Sequence, residues 1–268
     1  MQEAIKNGFI TVKKNSYIVK AMVFKNVKEQ YRNSVLGILW TVLNPLLNMI
    51  VMAIVFSNLF GRAPGAMDYP VYILSGSIIF TLMRFSTETA LGSIVHNADL
   101  IKKVKISYEV FPISNMFSGF VNFVFSFIAL ICVIIVRPNI SLGLDLLWTV
   151  VYIPSILLFS LGIGFILCSL YVYFRDVKHL YNVICTLWMY ITPVFYTLDS
   201  LNLKKGLVNT IMTLNPMRLY VDVFRSIVNP EAAILWGNML ICYAMGIVMV
   251  TIGAVFFRFT KKKFILHI

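Results

Sequence analysis

The chain carries little charge for its length. Of its 268 residues only 13% are charged, whereas 59% are hydrophobic; a typical soluble domain carries about 25% charged residues. A soluble fold of this size needs polar surface to cover its core, so a soluble enzyme is excluded. A disordered chain is excluded by the opposite argument, because apolar side chains are abundant. Cysteine is also scarce. Cys132, Cys168, Cys185 and Cys242 each lie inside an apolar run and none forms a CxxC pair. Neither a disulfide framework nor a zinc site is expected, and the four read as small buried apolar residues. The motifs GxSxG and HExxH are missing, and His96, His179 and His267 stand singly, so no catalytic or metal site is expected. No Gly-Lys dipeptide occurs, which excludes a phosphate loop. If ATP drives this protein, the nucleotide and its magnesium belong to another chain, and this one needs no cofactor.

What the sequence does have is long apolar runs. A helix crossing about 30 Å of hydrocarbon needs roughly 20 residues. Six segments meet this: 36–60, 70–95, 112–136, 147–174, 180–198 and 234–257. None alternates strictly as a barrel strand does, which leaves helices as the spanning solution. The sequence therefore predicts an all-α integral membrane protein with six transmembrane helices. A cleavable signal peptide is not expected, since residues 1–34 are too charged and the run from Leu36 is too long. Residues 1–34 read as an amphipathic N-terminal segment, and 35–268 as the transmembrane domain.

The net charge of +12 would suggest nucleic acid in a soluble protein. Here its distribution matters more. With six spans, 16 Lys and Arg residues fall on the side of both termini and 6 on the other, with Arg84 inside a span. The positive-inside rule puts both termini in the cytoplasm. The charge is a topological signal, and nucleic acid is set aside as a partner.

Several regions carry more specific information. Residues 17–32 alternate at helical spacing, with Phe24, Val27 and Tyr31 on one side and Lys25, Lys28 and Arg32 on another. This predicts a helix lying on the cytoplasmic interface. The loop 199–230 holds apolar stretches too short to span, Leu207–Leu214 and Leu219–Val228, between the turn signals Asn215-Pro216 and Asn229-Pro230. They suit short external re-entrant helices. Arg84 and Glu88 stand one helical turn apart within the second span and can pair. They either line a conduit or brace the bundle. Trp188, Tyr190, Phe195 and Tyr196 cluster around Pro193 in the fifth span; aromatic faces suit the C–H faces of sugar rings. The basic loop 96–111 carries apolar Leu100, Ile101, Val104 and Ile106. It suits either rest on anionic lipid or docking into a partner's groove.

Tyr31–Trp40 leading to Asn44-Pro45, the Leu100–Pro112 loop, Tyr173–Val177, Trp188–Tyr196 and Asn215-Pro216-Met217 together resemble the permease subunits of ABC type 2 exporters. That family exports teichoic acid, O-antigen and capsular polysaccharide. The resemblance implies a half-transporter in the bacterial cytoplasmic membrane, paired as a homodimer above two separate ABC ATPase subunits that bind ATP and magnesium. It implies that the loop around Asp99, Leu100, Ile101, Lys102, Lys103, Lys105 and Tyr108 couples to the ATPase, with Arg175 and Asp176 completing that surface. It further implies passage of a lipid-linked glycopolymer through a conduit partly lined by aromatics. Arg84, Glu88, Trp188, Tyr190, Phe195 and Tyr196 are the candidates for its lining. Lys25, Lys28 and Arg32 could attract the lipid diphosphate. The rival readings are an exporter of small hydrophobic compounds with the same topology, a secondary transporter or channel, and a membrane transferase. No inverted repeat favours the second, and the eleven acidic residues form no catalytic cluster for the third.

Overall fold

The computed structural model describes residues 2–30, 36–37, 39–60, 67–104, 106–136, 143–196 and 207–266. Its helices are α1 (Gln2–Gln30), α2 (Leu39–Phe60), α3 (Tyr69–His96), α4 (Ala98–Lys103), α5 (Val110–Val136), α6 (Trp148–Tyr173), α7 (Val177–Ile191), α8 (Leu207–Leu214), α9 (Pro216–Val228) and α10 (Trp236–Thr260). Short 3-10 turns precede α6 at Leu144–Leu147 and follow α10 at Lys261–Leu266. Arg32 and Lys105 lie outside the described residues.

Four helical segments are long and apolar enough to cross a membrane: Tyr69–His96, Val110–Val136, Leu144–Tyr173 and Trp236–Phe264. They coincide with the second, third, fourth and sixth apolar runs. The apolar part of α2 that can be assessed, Leu39–Met52, is shorter. The fifth run departs from expectation. It was expected to stay helical over 180–198, but α7 ends at Ile191 after 15 residues. That is about 22 Å of helix at 1.5 Å per residue. The cause is Pro193, which disfavours helical backbone at the residue before it. Thr192 accordingly turns extended, with φ −81° and ψ 128°.

The burial pattern is that of a lipid-facing bundle. On α10 the buried residues are Met239, Cys242, Gly246, Gly253 and Phe257, one narrow stripe. Leu240, Val248, Ile252 and Phe259 on the same helix are all exposed. A water-soluble helix would put polar residues there; lipid explains the apolar ones. The central helix α3 is the opposite case. Contacts with α2, α5, α6, α7 and α9 surround it, so it tolerates Ser75, Ser86, Thr87 and Ser93 in its buried surface.

The α6–α10 pair is the closest approach. A β-carbon on Gly253 would overlap the backbone of Gly162, and one on Gly162 would overlap that of Met249 and Val250. Small residues let membrane helices approach backbone to backbone, where van der Waals contact replaces the hydrophobic effect.

The bundle has two distinct ends. At one, Met22, Ile94, Phe111, Phe165, Val172, Phe257 and Phe264 form a separate core that joins α1, α3, α5, α6, α10 and the C-terminal turn. At the other, Trp148 meets Trp236 edge to face at 4.6 Å between centroids. α1 attaches to α5 through Asn26, which donates to Asn115 at 3.2 Å. The bundle takes a different face of α1 from the one that carries Phe24. Phe24 is exposed and Met22 is buried, with Ile18 packed beside it. Ile18, Met22 and Asn26 form an i, i+4, i+8 stripe that meets the bundle.

Candidate functional site

The end that holds the second core gathers the residues expected to face an ATPase subunit. α4 lies there between α3 and α5. Its Leu100 and Ile101 pack on the second core, together with Ile106 and Tyr108 from the following loop. Asp99, Lys102 and Lys103 are exposed. The short helix thus has its apolar face seated and its charged face free. The basic pair sits in its last turn, where cations are favoured by the helix carbonyls. Tyr108 meets Phe264 edge to face at 5.6 Å, and Glu109 pairs with Lys261. Loop and C-terminal turn are therefore one unit. Arg175 and Asp176 form the exposed turn between α6 and α7, with Arg175 over the Tyr171 ring at 5.2 Å. Lys25 reaches Asn97, between α3 and α4, at 3.5 Å and Glu29 at 3.9 Å. Lys28 is exposed.

Arg84 and Glu88 do pair, with Nε to Oε1 at 2.7 Å. One turn away Tyr181 of α7 donates to Thr87 at 2.6 Å, in a buried contact that fastens α7 to α3. Glu88 also lines a cavity of about 350 Å³ with Asn26, Glu29, His96 and Lys178. Glu88, the acid of the pair, therefore borders a space that reaches His96 toward the α4 end.

At the opposite end the chain leaves α7 in non-helical conformation. Its carbonyls need donors at this depth, since unsatisfied backbone in hydrocarbon costs several kcal/mol per group. Each of four successive carbonyls has one. Arg225 of α9 donates to Pro193 O at 2.9 Å and to Val194 O at 2.9 Å. Tyr69 of α3 donates to Phe195 O at 2.6 Å, and Tyr72 to Tyr196 O at 3.0 Å. Asn215 closes the other side. It caps α9 by accepting from Met217 N at 3.0 Å. It also accepts from Trp188 Nε1 at 2.7 Å and donates to Thr192 Oγ1 at 2.8 Å. Asp222 lies 4.0 Å from Arg225 and 3.3 Å from Arg218. Burial pushes its carboxyl up from the ordinary aspartate value, and the two guanidiniums pull it back in part.

The four aromatics of the fifth run do not share one surface of this chain. Phe195 is buried in the core. Trp188 packs against that core and is held by Asn215. Tyr190 is 65% exposed. Tyr196 lies between these extremes, its hydroxyl donating to Tyr190 O. Sequence reasoning assigned Arg225 no role beyond external charge and gave Tyr69 and Tyr72 none. One signal was available: Arg225 interrupts the apolar stretch Leu219–Val228, where an unpaired cation would be costly.

A helical bundle with lipid-facing flanks and polar side chains inside defines a multi-pass membrane protein. The family model for ABC-2 type transporters matches residues 17–229. The chain belongs to that family. The O-antigen export system permease protein RfbA of Myxococcus xanthus is 29% identical over 211 residues, 77% of this chain and 78% of that protein. RfbA of Klebsiella pneumoniae is 26% identical over 242 residues, 90% of each chain. The capsule polysaccharide export inner-membrane protein CtrC of Neisseria meningitidis is 20% identical over 265 residues, 97% of this chain and 98% of that protein.

Proposed function

We propose that this chain is the transmembrane subunit of an ATP-driven exporter that moves a lipid-linked surface glycopolymer across a bacterial cytoplasmic membrane. The polymer belongs to the class of O-antigen, capsular polysaccharide or teichoic acid. The observation that carries the coupling half of this reading is α4, whose apolar side is seated on the bundle while Asp99, Lys102 and Lys103 stay free. The export half is supported by the relatives, whose names describe export permeases for O-antigen and capsule.

In this reading the chain crosses six times, through α2, α3, α5, α6, α7 and α10. The short α7 completes its crossing with the pinned segment 192–196, and α8 and α9 are re-entrant from the outside. The basic end faces the cytoplasm. Two copies pair through apolar faces that one copy leaves open, including Leu47, Ile50 and Ile54 of α2 and Leu180, Val183, Ile184 and Leu187 of α7. Tyr190 on the open face of α7 then meets the path between copies. Lys25, Lys28 and Arg32 attract the lipid diphosphate at the inner interface.

Two ABC ATPase subunits dock below and hold ATP and magnesium. Closure of those subunits pushes on α4, and the second core passes the push to α3, α5 and α10. The test is co-purification with a candidate ABC ATPase subunit from the same organism, followed by reconstitution in nanodiscs. A stable complex that hydrolyses ATP supports the reading; failure to bind that subunit would sink it.

A further inference from the structure

A second cavity, of about 250 Å³, lies among α1, α2, α3 and α5. Three helices each send into it a pair of uncharged hydrogen-bonding side chains one turn apart. They are Asn44 and Asn48 from α2, Ser77 and Thr81 from α3, and Asn122 and Ser126 from α5. Residues spaced i, i+4 share one helical face, so each helix turns a polar stripe to the same space. No side-chain hydrogen bond joins Asn44, Asn48, Ser77 or Thr81 to another described residue. These four groups therefore do not act as glue between helices, whereas Asn122 donates to Gln30 of α1 at 3.1 Å. In hydrocarbon such groups cost free energy unless water or a ligand meets them. Trp40, Phe85 and Phe123 supply apolar walls. Among the described residues no Lys, Arg, Asp or Glu lines the cavity, whereas the cavity of Glu29, Glu88 and Lys178 shares its Gln30 and Phe85 walls. The two spaces adjoin along α3, one charged and one neutral.

We propose that the neutral cavity is a saccharide subsite. Amides and hydroxyls take the hydroxyls of one sugar ring, and an aromatic wall takes its C–H face. Its size suits a single ring, since sites for larger ligands run upward from about 300 Å³. Its described lining offers amides and hydroxyls to a sugar and no cation to the lipid diphosphate. This rests on the polymer-export reading and adds that the sugar is read within one copy of the chain, apart from the path between copies.

The test uses the full chain in nanodiscs and two probes: farnesyl diphosphate, and farnesyl diphosphate carrying an N-acetylglucosamine disaccharide. Wild type is expected to bind the glycosylated probe more tightly. The double variant Asn48→Leu/Thr81→Val loses roughly tenfold for that probe alone, because two hydrogen bonds go unmade. Asn48→Gln/Thr81→Ser restores much of the loss. Equal loss for both probes, or no loss for either, overturns the subsite. Binding of bare farnesyl diphosphate with no gain from the sugar also overturns it, and leaves the export reading standing. Binding of neither probe by wild type overturns both. A disulfide formed between two copies through Asn48→Cys would show that a second copy fills the cavity, and would overturn the subsite as well.

Discussion

The guanidinium of Arg225 lies over the ring of Tyr72, its central carbon 3.5 Å from the ring centroid. The same guanidinium donates to Tyr72 O at 3.2 Å, and the Tyr72 hydroxyl holds the carbonyl of Tyr196. The two residues clamp the segment after α7 from both sides. Arg225 is 8% exposed, and Gly76 leaves the room it needs: a β-carbon there would stand 2.7 Å from its Nη2. Replacing Arg225 with Met is expected to orphan the Pro193 and Val194 carbonyls, at about 1–3 kcal/mol each. Melting of the detergent-solubilised chain, followed by size exclusion, should show a clear drop in Tm. Arg225→Lys should recover only part, since an ammonium cannot reproduce the planar fork. An unchanged Tm in Arg225→Met would show that the clamp contributes nothing.

The long spans α3, α5, α6 and α10 were legible because hydropathy runs along the chain and needs no knowledge of neighbours. The short helices α8 and α9 were legible from apolar stretches set off by Asn-Pro turns. The end of α7 was misplaced because Pro193 can bend a helix or stop it. What decides here is the set of donors on Tyr69, Tyr72 and Arg225, far away in sequence. The face that α1 turns to the bundle was not legible for a similar reason: Asn115 of α5 meets the face that carries Asn26, while Phe24 is left exposed. The ion pair of Arg84 and Glu88 was readable from i, i+4 spacing alone. The neutral cavity was not, since its three polar pairs come together only when α2, α3 and α5 pack.

Asn215 serves three partners with one side chain. Replacing it with Ala removes the cap of α9, worth about 1 kcal/mol, and leaves the Trp188 indole N–H and the Thr192 hydroxyl short of a partner. The expected loss of stability exceeds that of an ordinary cap. Asn215→Asp keeps the acceptor for Met217 N and Trp188 Nε1 but not the donor to Thr192, so its Tm should fall between wild type and Asn215→Ala. The same thermal assay checks the order. A melting temperature for Asn215→Ala equal to that of Asn215→Asp would contradict the shared network.

The α6–α10 contact predicts a steep dependence on size at one atom. Gly253→Ala places a methyl group against the backbone of Gly162, and overpacking of this kind costs about 1–3 kcal/mol. Gly253→Leu cannot be accommodated without parting the helices. Gly237, near the start of α10, has open space around it, and Gly237→Ala is the control. Expression yield and monodispersity on size exclusion should fall in the order Gly237→Ala, Gly253→Ala, Gly253→Leu. Equal behaviour of the three would mean that α6 and α10 do not approach as described.

Coupling and folding should separate on α4. Lys102 and Lys103 are exposed and face no acidic partner among the described residues, so replacing them removes no structural contact. Double reversal, Lys102→Glu/Lys103→Glu, costs the helix only a few tenths of a kcal/mol through its carbonyl end. If α4 docks on an ATPase subunit, the same reversal weakens that complex by about tenfold at low salt and less at high salt, where exposed charges are screened. Leu100→Ala acts differently, because Leu100 is packed on the second core. Its loss should lower Tm and binding together. Binding measured at two salt concentrations, beside the melting curve, tells the two effects apart. A reversal that leaves affinity for the ATPase subunit unchanged would place the docking surface elsewhere, and the Arg175–Asp176 turn is the next exposed charged site at that end.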